Sequence, residues 1–343
     1  MNLFGMTLEA LQEQFAELGQ PKFRARQTAE WMYQRGARTF GEMTNLSKEL
    51  RQKLSAQHEI LRPEEQARLD SADGLTTKLL LRFADGTAVE TVLMRQPYGN
   101  SICISSQAGC NMGCKFCAST LHGMERNLTT GEMFAQALHI QDFLREEGCG
   151  VDTVVVMGSG EPLMNYEALL GFLHLMHEPY ALGMGYRNFT ISTSGIVPGI
   201  YRLMEEGLPV NLSISLHAPN DALRSELMPI NRKYPLRDVV EAGRAYGERT
   251  KRRVTYEYIL IDHLNDGEEH ARELCSLLSG QLASVNLIPI NPVVERNLLR
   301  PSPERIRHFE TMLQSRHINV TVRREMGTDI DAACGQLRNR HMN

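Results

Sequence analysis

The chain has 343 residues, of which 42% are hydrophobic and 23% are charged, and its formal net charge is −4. The length predicts about two domains, and the composition excludes a disordered chain, a collagen-like chain and a small disulfide scaffold. No apolar run is long enough to span a membrane, and no secretory signal pattern opens the sequence. We therefore expect a cytoplasmic protein. Three of its seven cysteines crowd into eight residues, which indicates metal binding or catalysis rather than disulfides.

Residues 1–60 are predicted to form a small helical domain. Leu8, Leu11 and Phe15 recur at helical spacing, with Thr7 as the N-cap. Between positions 22 and 53, eight Lys and Arg residues stand against three Asp and Glu residues, and aromatic residues lie among them. Two interpretations remain open: a helical bundle with a solvated basic face, or an accessory domain that contacts RNA phosphates and unstacked bases.

Residues 61–98 predict a β-hairpin extension, because the strand-like runs 77–83 and 88–94 flank a turn sequence. From residue 99 to 343, β-rich runs alternate with helical runs. The predicted strands lie near 102–105, 153–157, 188–192, 211–215, 254–261, 284–289 and 319–323. The predicted helices are 131–144, 167–177, 198–206, 236–246, 268–278 and 303–314. This α/β alternation predicts a complete or partial (β/α) barrel, with a doubly wound open sheet as the rival.

Three cysteines crowd into one short segment as C-x3-C-x2-C: Cys110, Cys114 and Cys117. Three thiolates on one tight loop can hold three corners of a [4Fe–4S] cluster and leave the fourth iron without a protein ligand. The alternatives are a structural zinc site with His122 as the fourth ligand, and cysteines of the core without a ligand. The spacing and the glycine within the loop favour the cluster.

The cysteine loop, with Phe116 just before its last cysteine, resembles the signature of radical S-adenosylmethionine (SAM) enzymes. The chain as a whole resembles the RlmN/Cfr family, the radical adenine methyltransferases of 23S ribosomal RNA. The segments that carry this resemblance, in chain order, are 101–128, MGSGEPL at 157–163, ISTSGIVP at 191–198, SISLHAPN at 213–220, MPINRKYP at 228–235, NLIPINP at 286–292 and DIDAACGQL at 329–337. The resemblance implies a partial (β/α) barrel of the radical SAM type, a [4Fe–4S] cluster, and two SAM molecules per turnover, one as methyl donor and one as radical source.

The resemblance also implies roles for two more cysteines and a carboxylate. Cys334 would carry the methyl group as S-methylcysteine, and a radical on that methyl would add to the adenine ring. Cys103 would release the product by forming a transient disulfide with Cys334, which requires Cα atoms within about 7 Å. Glu90 matches the family's proton acceptor, although a Glu on a hairpin strand is usually just solvated. Composition alone would make each of the two cysteines an ordinary core residue.

The segment 158–162 follows an apolar strand, and its glycines allow the backbone to approach a ligand. On its own, it could equally be a glycine turn with an exposed Glu, and a lone His217 would more often be a core histidine. The resemblance implies that Glu161 accepts hydrogen bonds from the ammonium group of SAM. The positions that match the family's SAM contacts are Gly160, Glu161, Ser192, Ser215, Leu216, His217 and Asn291.

One branch of the family methylates C2 of the adenine and the other methylates C8. The segments CAST at 117–120, GEPL at 160–163 and STSG at 192–195 resemble the C2 branch. C2 methylation is therefore expected, with a C8-methylating Cfr-type enzyme as one alternative and a non-catalytic zinc RNA-binding protein as another. The implied partners are 23S ribosomal RNA, tRNA in some members, and a one-electron reductant such as flavodoxin. We expect a monomer without a membrane partner.

Overall fold

The computed structural model describes residues 1–291, 297–324, 326–332 and 336. Its N-terminal part contains the helices α1 (Leu8–Glu17), α2 (Lys22–Tyr33) and α3 (Lys48–Gln57). Thr7 caps α1 as predicted, because its side chain accepts a hydrogen bond from the Ala10 amide. Leu11 and Phe15 are buried on one face of α1, which confirms the helical period of this segment.

Aromatic rings attach the N-terminal helices to the rest of the chain. Tyr33 of α2 makes edge contacts with Phe4 and with Phe134, at centroid distances of 5.6 and 5.3 Å. Phe134 belongs to α4 (Thr130–Glu146), which begins with the predicted capping box of Thr129 and Glu132. The N-terminal helices therefore share one hydrophobic core with the helices that cover the sheet.

A single ten-stranded sheet forms the centre of the molecule. Its first strands are antiparallel: β1 (Glu64–Asp70), β2 (Thr76–Arg82), β3 (Ala88–Gln96) and β4 (Gly99–Cys103). The predicted hairpin corresponds to β2 and β3, whereas β1 was not predicted. Its residues are almost all polar and exposed, so no apolar alternation marks it as a strand.

From β4 onward the sheet is parallel and follows the order of the chain. After the short antiparallel ribbon of β5 (Gln107–Gly109) and β6 (Met124–Asn127), the remaining strands are β7 (Thr153–Val156), β8 (Phe189–Thr193), β9 (Asn211–Ser215), β10 (Val254–Leu260), β11 (Ala283–Pro289) and β12 (Asn319–Val322). A doubly wound sheet reverses its strand order at a switch point, whereas these strands run in sequence. β1 and β12 form the two edges, so the sheet is a partial barrel, as predicted.

Helices cover the outer face of the parallel strands. They are α4, α5 (Tyr166–His177), α6 (Val197–Glu205), α7 (Asp221–Leu227), α8 (Leu236–Thr250), α9 (Glu268–Leu278) and α10 (Pro303–Ser315). The sequence predicted all of them except α7, which has only seven residues and follows an Asn220 cap. None of the helices within the described ranges is both long and apolar enough to cross a membrane.

The backbone of Gly5 packs directly against that of Gly131 in the first turn of α4. Gly5 has a φ of 93°, and a Cβ at this position would lie 2.5 Å from the Cα atom of Gly131. We expect Gly5→Ala to lower the free energy of unfolding by roughly 2 kcal/mol or more, because overpacking adds to backbone strain. Urea unfolding followed by circular dichroism measures the effect.

Gly19→Ala is the matched control within the same helical part. Gly19 also has a positive φ, of 70°, but no atom lies within 4 Å of a Cβ built there. Its substitution should cost only about 1 kcal/mol, the strain of a left-handed residue. Equal losses for the two variants would contradict the close packing of Gly5 on α4.

Candidate active site

Two cavities lie where the parallel strands end, at the edge where barrel enzymes carry their chemistry. The first has a volume of about 150 Å³ and the second a volume of about 300 Å³. The residues that line both cavities are Cys117, Ser119, Met157, Gly158, Ile288 and Arg323. The first cavity brings together most of the predicted site: Cys110, Cys114, Cys117, Gly160, Glu161, Ser192, Ser215 and His217. The second holds Cys103 and Asn291.

The three clustered cysteines lie on the loop between β5 and β6. Gly113, with a φ of 70°, allows the left-handed turn of this loop. Burial raises the pKa of the Cys110 thiol to about 11 and that of Cys114 well above its ordinary value, and the Cys117 thiol beside them raises both further. Buried thiolates that repel one another need a cationic partner. Because thiolates are the ligands of iron–sulfur clusters, this donor set fits a [4Fe–4S] cluster.

The zinc alternative requires His122 to lie beside the three clustered cysteines. Its proposed fourth ligand, His122, is exposed and does not line the first cavity. Among the residues that the structure describes, no three His, Cys, Asp or Glu side chains are placed to hold a single metal ion. A [4Fe–4S] cluster does not require the three sulfur atoms to converge on one point, because each thiolate binds a different iron.

Glu161 is buried and joins the loops that follow β7 and β8. Its Oε1 accepts a hydrogen bond from the Leu163 amide at 3.0 Å, and its Oε2 accepts one from the Ser194 amide at 2.6 Å. Burial raises the pKa of this carboxyl above its usual value, while the hydrogen bonds from Ser194 and Leu163 oppose the shift. Gly160 lies against Gln107, and a Cβ there would come within 2.6 Å of that side chain. Glycine is thus required beside the predicted SAM ligand.

His217 and Leu216 follow β9 but have different surroundings. The Nδ1 atom of His217 accepts a hydrogen bond from the Ile259 amide at 3.0 Å. Burial lowers the pKa of His217 to about 3, with a smaller effect of the Arg224 charge, so the ring is neutral. Leu216 is fully buried and does not line either cavity, although its carbonyl oxygen accepts a hydrogen bond from Arg224. It supports the pocket from behind.

Two buried charged residues of this site were not predicted. Arg224 of α7 is fully buried and donates to the carbonyl oxygens of Ser194 and Ser215. Glu257 of β10 lines the first cavity and accepts hydrogen bonds from Ser213 Oγ at 2.7 Å and Asn286 Nδ2 at 2.8 Å. A charged residue inside the apolar strand sequence 254–260 was the one available signal for Glu257.

The second cavity opens beside the turn between β3 and β4. Tyr98, at this turn, lines the cavity and is 72% exposed. Two arginines that follow β12, Arg323 and Arg324, also line it. Sequence reasoning missed all three, because a tyrosine in a turn and a pair of arginines after a strand are ordinary surface features.

The C-terminal segment 326–332 covers one face of β2, β3 and β4. Ala332 packs with Cys103 and Val92 in one buried cluster. Val92 pairs with Cys103 across β3 and β4, so Glu90, two residues earlier on β3, faces the same side. Glu90 is buried rather than solvated. Cys334 lies outside the described residues, two positions beyond Ala332.

Comparisons with known proteins identify the family of this chain. The family described as ribosomal RNA large subunit methyltransferase N-terminal domain matches residues 1–60, and the radical SAM superfamily matches residues 104–275. A probable dual-specificity RNA methyltransferase RlmN from Symbiobacterium thermophilum is 55% identical, over 98% of this chain and 91% of its own. The protein of the same description from Bacillus cytotoxicus is 50% identical, over 98% and 93% of the two chains.

A solved structure covers almost the whole fold. The crystal structure of a radical SAM methyltransferase from Sphaerobacter thermophilus superposes with a TM-score of 0.96, at 46% identity, over 98% of this chain and 99% of that chain. The cofactors of this class are a [4Fe–4S] cluster and SAM. The chain belongs to the RlmN family of radical SAM RNA methyltransferases.

Proposed function

We propose that this enzyme methylates C2 of an adenine in 23S ribosomal RNA, and an adenine of tRNA as a second substrate. The observation that carries the proposal is the pair of adjoining cavities. One contains the three clustered cysteines and the SAM-type loops, and the other contains Cys103 under the chain segment that leads to Cys334. Adjoining cavities suit a reaction in which a methyl group is carried on a cysteine from the cofactor to the RNA base.

In this proposal, Cys110, Cys114 and Cys117 hold the cluster. SAM binds in the first cavity against Gly160, Glu161, Ser192, Ser215 and His217, with Leu216 behind them and Asn291 at the neighbouring wall. When bound, the cluster and SAM together supply the methyl group and the radical chemistry that activates it. The chain contributes orientation and exclusion of water, because these side chains are held by the buried hydrogen bonds described above.

Three residues of the chain act on the carried methyl group and on the base. Cys334 supplies the thiolate that accepts the methyl group, because a thiolate is a competent nucleophile where the electron-poor C2 carbon is not. Glu90 accepts the proton that the ring carbon loses. In the adduct, the thiolate of Cys103 attacks the sulfur of Cys334, and the bond between that sulfur and the methylene carbon breaks. The electron pair stays with the carbon, which takes up a proton to become the methyl group of the released base. The disulfide that remains is reduced by an external reductant such as flavodoxin.

The RNA substrate reaches the second cavity from outside. Tyr98, exposed at its mouth, offers a face on which an unstacked base can lie, and Arg324 offers a cation for phosphate. The basic N-terminal helices supply a further surface, where Arg24 lies 4.8 Å above the exposed ring of Phe23. These features support docking on folded RNA, with the target base turned into the cavity by a monomeric enzyme.

The product of the reaction tests this proposal. Protein reconstituted anaerobically with iron and sulfide is incubated with SAM, a reductant and an unmodified 23S ribosomal RNA fragment or a tRNA transcript. The RNA is then digested to nucleosides for mass spectrometry. We expect 2-methyladenosine from both RNAs. If 8-methyladenosine is the sole methylated product, the enzyme is of the Cfr type. If 5′-deoxyadenosine forms but neither RNA is methylated, the proposed substrates are wrong.

Removing the resolving cysteine should trap the reaction. In Cys103→Ala we expect RNA to remain covalently attached to Cys334, because no thiol is left to release it. The adduct is seen as a protein band of reduced mobility that ribonuclease collapses, and product falls to background. Cys275→Ala is the matched control, because Cys275 is a buried cysteine of α9 that lines neither of these two cavities. Normal turnover by Cys103→Ala would overturn the role of Cys103.

A further inference from the structure

A lysine that the proposed mechanism does not use lies buried beside Glu90. Lys78 of β2 is 7% exposed, although lysine is almost never buried without a partner. Its Nζ atom lies 3.2 Å from Glu90 Oε1 and donates a hydrogen bond to the Asp331 carbonyl oxygen, also at 3.2 Å. One ammonium group therefore contacts both the carboxylate and the backbone of the segment that leads to Cys334.

Strand register places Lys78 on the same face of the sheet as Cys103, which lines the second cavity. Lys78 pairs with Val92, and Val92 pairs with Cys103, so the three lie in one row across β2, β3 and β4. Side chains of directly paired residues point to the same face of a sheet. Lys78, Glu90 and Cys103 therefore share the face that Ala332 covers.

Stability does not account for this ion pair. Replacing a buried ion pair by apolar side chains of similar size is often neutral or stabilising, because the desolvation of two charges offsets their attraction. Leu80, the next residue of β2 on the same face as Lys78, is buried, so this face accommodates apolar side chains. Apolar residues at positions 78 and 90 together would serve the fold, whereas replacing Lys78 alone removes the cation beside Glu90.

We propose that Lys78 is a positioning residue that keeps Glu90 ionised and aligned with the segment carrying Cys334. The inference rests on the proposed function of Glu90 as proton acceptor. A carboxylate must be ionised to accept a proton, and burial favours its neutral form unless a cation lies beside it. The titratable or charged groups on this face of the sheet, within the described residues, are Lys78 and Arg82 on β2, Glu64 on β1, Cys103 on β4 and Asp331 on the covering segment. Arg82 and Glu64 pair with each other at the exposed end of the strands, 3.2 Å apart, so Lys78 is the buried cation beside Glu90.

Lys78→Met tests the proposal, with Lys78→Arg as the variant that keeps the charge. In Lys78→Met we expect kcat to fall by about 100-fold, the lower end of what a general base contributes. The acidic limb of the activity profile should move to higher pH, because a buried carboxyl without its cation is protonated more readily. Lys78→Arg should keep the profile of the parent enzyme and recover most of the activity.

An isotope measurement separates positioning from a loss of folding. With RNA deuterated at C2 of the target adenine, Lys78→Met should show a larger isotope effect on product formation than the parent enzyme, because proton removal becomes slower. The fraction of Cys334 that carries a methyl group, measured by peptide mass spectrometry, should stay near that of the parent enzyme. A fall in Cys334 methylation that parallels the fall in product would show that the segment no longer docks, and would overturn the proposal.

Glu90→Gln distinguishes failure of this inference from failure of the proposed function. If Glu90→Gln stalls with RNA attached while Lys78→Met keeps the parent isotope effect and pH profile, Glu90 retains its role and the inference about Lys78 is wrong. If Glu90→Gln turns over normally, the proton acceptor lies elsewhere, and both the role of Glu90 and that of Lys78 fall together.

Discussion

The geometry of the first cavity depends on one buried guanidinium group. Arg224 donates to the carbonyl oxygens of Ser194, Ser215 and Leu216, and to the side chain of Asn231. These groups lie on the loops after β8 and β9 and on the turn that follows α7. A planar guanidinium offers several donors in a fixed arrangement, so it sets the relative positions of these loops in a way that a lysine could not.

The same guanidinium contributes charge as well as shape. Burial lowers the pKa of Arg224 to about 10, so the group is still a cation at neutral pH. Its charge favours the thiolate of Cys114, in opposition to the repulsion from the other two thiols. Glu161 holds the same loop, because its carboxylate accepts a hydrogen bond from the amide of Ser194, whose carbonyl oxygen bonds to Arg224. The loops that line the first cavity are thus fixed by buried polar contacts of the chain itself, and such fixed polar groups are what a preorganised site requires.

Sequence reasoning found the parts of this site that are local in the chain. The spacing of Cys110, Cys114 and Cys117 and the glycines around Glu161 are short patterns, and the structure brings them to one cavity. The parallel sheet followed equally from short alternating segments. Residues with partners far away in the sequence were missed. Nothing in the sequence around Arg224 or Lys78 indicates that it is buried, because its partners lie in other strands and loops. Asn291, which is expected beside SAM, lines the second cavity, which adjoins the first.

The continuity of the sheet explains how two cavities can serve one reaction. β3 pairs antiparallel with β4, and β4 pairs in parallel with β7, so the hairpin extension and the barrel are one surface. The wall between the cavities is thin, since Arg323 Nη2 lies 3.6 Å from the sulfur of Met157, and both residues line both cavities. A base in the second cavity and a cofactor in the first would therefore lie close together but in separate sites. Two contacts attach the covering segment to β2: Gly327 packs on Thr76, and the Asp331 carbonyl oxygen accepts a hydrogen bond from Lys78. In the proposed function, this segment leads to the residue that carries the methyl group from the cofactor to the base. A methyl group that must pass from one cavity to the other needs a carrier on the chain, and in the proposed function that carrier is Cys334, two positions after Ala332 in the sequence.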